Sequence, residues 1–106
     1  MPELRNETGK LSTGSLGALN ELKVAVDLIQ KGYEIFRALS PACSCDLVAV
    51  KNHRCFRVEV TTGKMRVNKI DKQVKIDWTP HDNNFYDILA VVVGSTIYYT
   101  PNLEVS

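Results

Sequence analysis

No apolar run in this chain approaches the length that spans a bilayer, so no membrane partner is expected. The opening residues Met1-Pro2-Glu3-Leu4-Arg5 lack the apolar core of a secretory leader, and a cytoplasmic location is expected. Charge of one sign is also lacking. The formal net charge is +1, so any attraction to nucleic acid must come from local clustering. Cysteine is scarce and odd in number: three residues argue against a disulfide framework. Cys43, Cys45 and Cys55, with His53 nearby, depart from the two-residue gap of a zinc knuckle. Small reduced side chains at strand ends are the preferred reading over a zinc or redox centre. There is no internal repeat, linker or low-complexity segment.

What is present suits one globular domain. A chain of 106 residues, 44% hydrophobic and 24% charged, can bury a modest core. Residues 1–13 read as a polar, flexible arm, 14–101 as the domain and 102–106 as a tail. Leu16 to Lys31 reads as a helix capped by Ser15 and stopped by Gly32. Wound at about 100° per residue, Ala18, Leu19, Leu22, Ala25, Val26, Leu28 and Ile29 fill one half of its wheel. Asn20, Lys23, Asp27, Gln30 and Lys31 fill the other, with Val24 out of place among them. Glu21 falls inside the apolar arc near its edge. A carboxylate there needs a cation, a metal or hydrogen-bond donors, unless it snorkels from the rim.

Strands follow. Tyr33 to Ala38 reads as the first, broken by Ser40-Pro41. Cys45-Asp46-Leu47-Val48-Ala49-Val50-Lys51 and Cys55 to Thr62 read as two more, joined by a polar turn in an antiparallel meander. In the third strand Phe56, Val58 and Val60 point one way and Arg57, Glu59 and Thr61 the other. Two carboxylates brought together across such a pair repel, and a divalent cation relieves the repulsion. The competing reading leaves Glu59 facing solvent on an amphipathic strand. Lys64 to about Trp78 is expected to be helical, with Val67, Ile70 and Val74 at helical spacing. It carries a local basic cluster: Lys64, Arg66, Lys69, Lys72 and Lys75. Thr79 to Asn84 reads as a loop. Tyr86 to Val93 is apolar on both faces and reads as a central strand, which a partner subunit is expected to cover. Gly94-Ser95 turns into a last strand, Thr96 to Thr100, before Pro101. The expected order is αβββαββ, an α/β fold around a mixed sheet.

Four of these stretches together resemble the PD-(D/E)XK nuclease superfamily, in particular the small archaeal-type Holliday-junction resolvases. They are Gly17-Ala18-Leu19-Asn20-Glu21-Leu22 with Leu28-Ile29-Gln30-Lys31-Gly32-Tyr33, the segment Cys45 to Val50, the segment Phe56 to Lys64, and Tyr86 to Val92. The resemblance implies a restriction-endonuclease-like core with a mixed sheet flanked by helices. It implies Mg²⁺ or Mn²⁺ held by Asp46, Glu59, Glu21 and the backbone carbonyl of Val60. Such an ion orients a water and stabilises charge on a scissile phosphate. It also implies phosphodiester hydrolysis in DNA, branched DNA as substrate, and a homodimer; Arg66, Lys69, Lys72 and Lys75 would contact phosphates. One position departs from the pattern. The lysine expected two residues after Glu59 is Thr61. Lys64 swinging back is the preferred substitute, Lys51 from the neighbouring strand is a second, and a non-catalytic DNA- or protein-binding module is the third. The proline of the motif is also replaced, by Cys45.

Overall fold

The structure, a computed structural model, describes residues 11–40, 45–78, 85–101 and 103. The expected loop at Thr79 to Asn84, Cys43 and most of the N-terminal arm lie outside the described residues. Helix α1 spans Thr13–Gln30. Its cap is Ser12, not Ser15: the Ser12 hydroxyl accepts from the Ser15 N–H at 3.1 Å. The helix therefore begins inside the stretch read as an arm. Gly32 follows its end at φ +95°, a left-handed turn that favours glycine.

A five-stranded sheet carries the domain, in the order β1 (Glu34–Arg37), β2 (Leu47–Lys51), β3 (Arg54–Thr62), β6 (Ile88–Val93), β7 (Thr96–Thr100). β1 to β3 form the expected antiparallel meander. The β2–β3 turn places both Asn52 and His53 at positive φ (53° and 64°), which matches the twist of a tight hairpin. β6 pairs with β3 in parallel, Val58 beside Ile88, and with β7 antiparallel, so the sheet is mixed. Asp87 locks this parallel start. Its carboxylate accepts from the Arg57 N–H at 2.8 Å and from the Arg57 guanidinium at 3.2 Å, while its own N–H donates to the Arg57 carbonyl at 2.8 Å.

The core lies between α1 and one sheet face: Val24, Leu28, Leu47, Ala49, Val58 and Ala90 are buried there. Each such side chain withdrawn from water contributes about 1–3 kcal/mol. The helix, however, is turned away from the centre of its apolar arc. Val24, the misfit of the wheel, is fully buried, and so is the polar Asn20, whose amide donates to the Thr62 hydroxyl at 2.7 Å. Leu19, Leu22, Val26 and Ile29, expected in the core, are exposed. One sheet covers only part of the arc, and a buried Asn with a partner fixes which part.

The segment expected as a second helix is a hairpin. β4 (Lys64–Val67) and β5 (Val74–Asp77) pair antiparallel, and α1 is the one helix among the described residues. Lys-Met-Arg-Val and Val-Lys-Ile-Asp alternate with period two, and β-branched residues favour strands. Between them the Asn68 side chain accepts from the Ile70 N–H and the Asp71 side chain from the Gln73 N–H, closing a turn that a helix would forbid. Ile70, expected on an apolar helix face, sits exposed in that turn. Ile76 of β5 meets Val91 and Val93 of β6 at Gly63, where even a Cβ would lie 2.6 Å from a Val91 methyl. β6 is thus buried on both faces, from Ile88 to Val92, within the chain itself. Its apolar character does not call for a partner subunit.

Candidate functional site

Asp46 lies one residue before β2 and is bonded to β3 on both sides of Glu59. Its N–H donates to the Val58 carbonyl at 3.1 Å, and its carboxylate accepts from the Val60 N–H at 2.8 Å. β2 begins only at Leu47, opposite Val58, so past this point the β2 side of β3 has no strand beside it. In an extended strand one residue's N–H and C=O point the same way. The Val60 carbonyl is therefore directed toward the Asp46 side. The register sets Glu59 level with Asp46, and the two carboxyl groups share a hydrogen bond.

Electrostatics binds a third acid to this pair. Glu59 is pushed up to about 7, first by burial, then by its hydrogen bond to Asp46 and by the negative charges of Asp46 and Glu21. Glu21, on α1, is raised by burial and by Asp46, and lowered by Arg37 of β1. The acids expected to meet, from a helix, a strand lead-in and a strand, therefore feel one another's charge. Among the described residues no three His, Cys, Asp or Glu side chains are grouped closely enough to hold a metal ion together. Asp46 and Glu59 hold each other through a proton, and Glu21 is the outlying member. The donors are all hard oxygens, and their mutual repulsion is of the kind that a divalent cation relieves. This donor set fits Mg²⁺ or Mn²⁺.

Of the expected lysines, Lys51 is engaged elsewhere. Lys51 sits at the far end of β2. Its ammonium donates to the Lys31 carbonyl at 3.0 Å and lies 4.9 Å from the Tyr33 ring centre. Lys64 opens β4 opposite Asp77. Four residues lie between it and Glu59, and at Gly63 among them the chain leaves the five-stranded sheet for the hairpin. The Lys51 ammonium is thus held at the end of α1 and not at the acids. Thr61 shares the Glu59 side of β3, as its parity requires. Arg37, which sequence reasoning missed, places a positive charge near Glu21; its signal was its place at the end of β1, level with Leu47. Asn20 was missed as well, being assigned to the solvent side.

The basic cluster lies on the hairpin, not on a helix. Arg66 and Lys75 are cross-strand neighbours, and Lys69 and Lys72 lie in the turn. Arg66 Nε is 3.0 Å from Asp77. A recess of about 280 Å³ is lined by Arg66, Asn68, Lys69 and Lys75. Cys45 and Cys55 are not joined in a disulfide and stand at opposite ends of the β2–β3 pair, too far apart to share a zinc ion.

No family model and no curated protein matches this sequence. By structure, the chain is similar to a bacterial homing endonuclease, I-Ssp6803I, with a TM-score of 0.64 and 18% sequence identity over 83% of this chain and 68% of that one. The fold is therefore an endonuclease-like α/β fold.

Proposed function

We propose that this chain is a metal-dependent DNA endonuclease that hydrolyses phosphodiester bonds. The observation that carries the reading is the Asp46–Glu59 carboxyl pair, hydrogen-bonded at the place where β2 gives out beside β3, with Glu21 on α1 near enough to feel its charge. Acids held so close are unfavourable in a structural role and suited to a cation. Asp46, Glu59, Glu21 and the Val60 carbonyl would hold Mg²⁺ or Mn²⁺, which when bound supplies an oriented water and charge stabilisation at the phosphate.

The chain's own residues do the rest. The Val60 N–H fixes the Asp46 carboxylate, so one ligand is oriented in advance. Arg37 tempers the charge on Glu21 and offers the positive charge that Thr61 lacks. Arg66, Lys69, Lys72 and Lys75 provide phosphate contacts whose strength falls with added salt.

Two finer points rest on the resemblance to junction resolvases: branched DNA as the substrate, and a homodimer as the working form. The exposed row Leu19, Leu22, Val26 and Ile29 suits the second. Its spacing of three, four and three is that of a helix seam. Leu19, Leu22 and Val26 line a groove of about 450 Å³ together with Ile97 of β7.

A non-catalytic DNA-binding module is the second reading, favoured by Thr61 and by the engagement of Lys51 at the Lys31 carbonyl. Cleavage of nicked, linear and four-way DNA with Mg²⁺ or Mn²⁺ decides between them. The endonuclease reading expects Asp46→Ala and Glu59→Ala to lower activity at least about 100-fold, the scale seen when a preorganised charge-stabilising group is lost. Activity unchanged in both variants, or missing with either metal, rejects it.

A further inference from the structure

The β4–β5 hairpin has two unlike sides. Directly opposed residues of an antiparallel pair share a side, and the sides alternate along each strand. Met65 faces with Ile76, and Val67 with Val74. On the other side stand Lys64 with Asp77 and Arg66 with Lys75. The Asn68 N–H bonds the Gln73 carbonyl at 2.8 Å, which carries the pairing one step further and sets Asn68 and Gln73 beyond Arg66 and Lys75. Ile76 is seated at Gly63 against β6. The apolar side is therefore turned to the body at the hairpin's root, and the polar side is turned away.

From this we infer that the polar side of the β4–β5 hairpin reads base edges in the major groove of duplex DNA. The inference rests on the chain acting on DNA, and adds sequence specificity to phosphate contact. The B-DNA major groove is about 12 Å wide and admits a two-stranded ribbon. Arg, Lys, Gln and Asn are the side chains whose donors and acceptors match guanine and adenine there. Here Arg66, Lys75 and Gln73 occupy one side of one ribbon, beside a recess lined by Arg66, Asn68, Lys69 and Lys75, while the Asn68 side-chain oxygen is engaged by the Ile70 N–H. Asp77 holds Arg66 through Nε, which fixes the side chain and leaves its Nη groups as the fork for a guanine. Lys69 and Lys72, in the turn, are placed to touch flanking phosphates. Strands of four residues span about 13 Å, or about four base pairs.

The test is selection of duplexes from a randomised library by the full chain, with metal chelated so that no cleavage interferes. The expected result is an enriched block of about four base pairs. Arg66→Lys keeps the charge and loses the fork. It should abolish preference at one position while non-specific affinity stays within about threefold. Gln73→Ala, outside both strands, should relax a second position with the fold intact. Lys72→Ala should weaken all sequences alike and lower the salt slope by about one. No enriched block, or a block unchanged by Arg66→Lys and Gln73→Ala, overturns the inference. Cleavage without a hairpin-dependent block overturns it while leaving the endonuclease standing. A hairpin-dependent block without cleavage upholds it while the endonuclease falls.

Discussion

At the scale of the residue, the proposed chemistry turns on Glu59. Its side-chain parity was readable from the alternation of Phe56, Val58 and Val60, and its level with Asp46 from the hairpin. The role of Arg37 was not readable, because nothing in the order of residues shows that the end of β1 lies within reach of Glu21. The raised Glu59 has a direct consequence for pH. Its carboxyl holds its proton in the folded chain up to about 7, against about 4.3 when unfolded. Its contribution is therefore fully present below the unfolded value and is lost as pH rises through about 7. Metal-free wild type should lose thermal stability across that window. Glu59→Gln should match wild type near pH 4 and exceed it at pH 8, as melting curves across pH will show. Equal pH dependence in the two proteins would contradict this assignment.

At the scale of the element, local pattern and tertiary demand part company in two places. The α1 register was legible as a helix, but the wheel could not show that Asn20 would be buried against Thr62, leaving Leu22 and Val26 outside. The stretch from Lys64 to Asp77 contains helical spacings at Val67, Ile70 and Val74, yet its period-two alternation and its Asx turns prevail. Gly63 joins the two sheets and tolerates no side chain. Gly63→Ala forces a Cβ to 2.6 Å from Val91 and 3.1 Å from Ile76, inside a buried contact. It should cost about 1–3 kcal/mol by denaturant titration, the usual penalty of overpacking, and Val91→Ala in the same chain should recover part of it. Asp87 pins β6 to β3 through Arg57, which holds its carboxyl below the usual carboxylate range. A depressed carboxylate stabilises above its unfolded value, about 3.9, and loses that contribution as pH falls through the folded one. Asp87→Asn should therefore be less stable than wild type at pH 7 and converge with it in acid, as melting temperatures at the two pH values will reveal.

At the scale of the whole molecule, the α/β class and the mixed sheet followed from strand order and from the two-sided apolar character of β6. The covering of β6 did not, because it depends on a hairpin read as a helix. Where a second subunit would attach is accordingly different: the bare α1 row and not the central strand. Light scattering should find a dimer that Val26→Lys converts to a monomer with an unchanged circular dichroism spectrum. A wild-type monomer would remove the homodimer from the proposal without touching the site.

The site itself is tested most directly by calorimetric titration of the full chain with Mn²⁺ at pH 6 and pH 8. One ion per chain should bind, more tightly at pH 8 because less proton has to be displaced from Glu59, and Glu59→Gln should weaken binding and flatten its pH dependence. A chain that takes up no Mn²⁺ at either pH, or binds it equally with and without Glu59, would contradict the account.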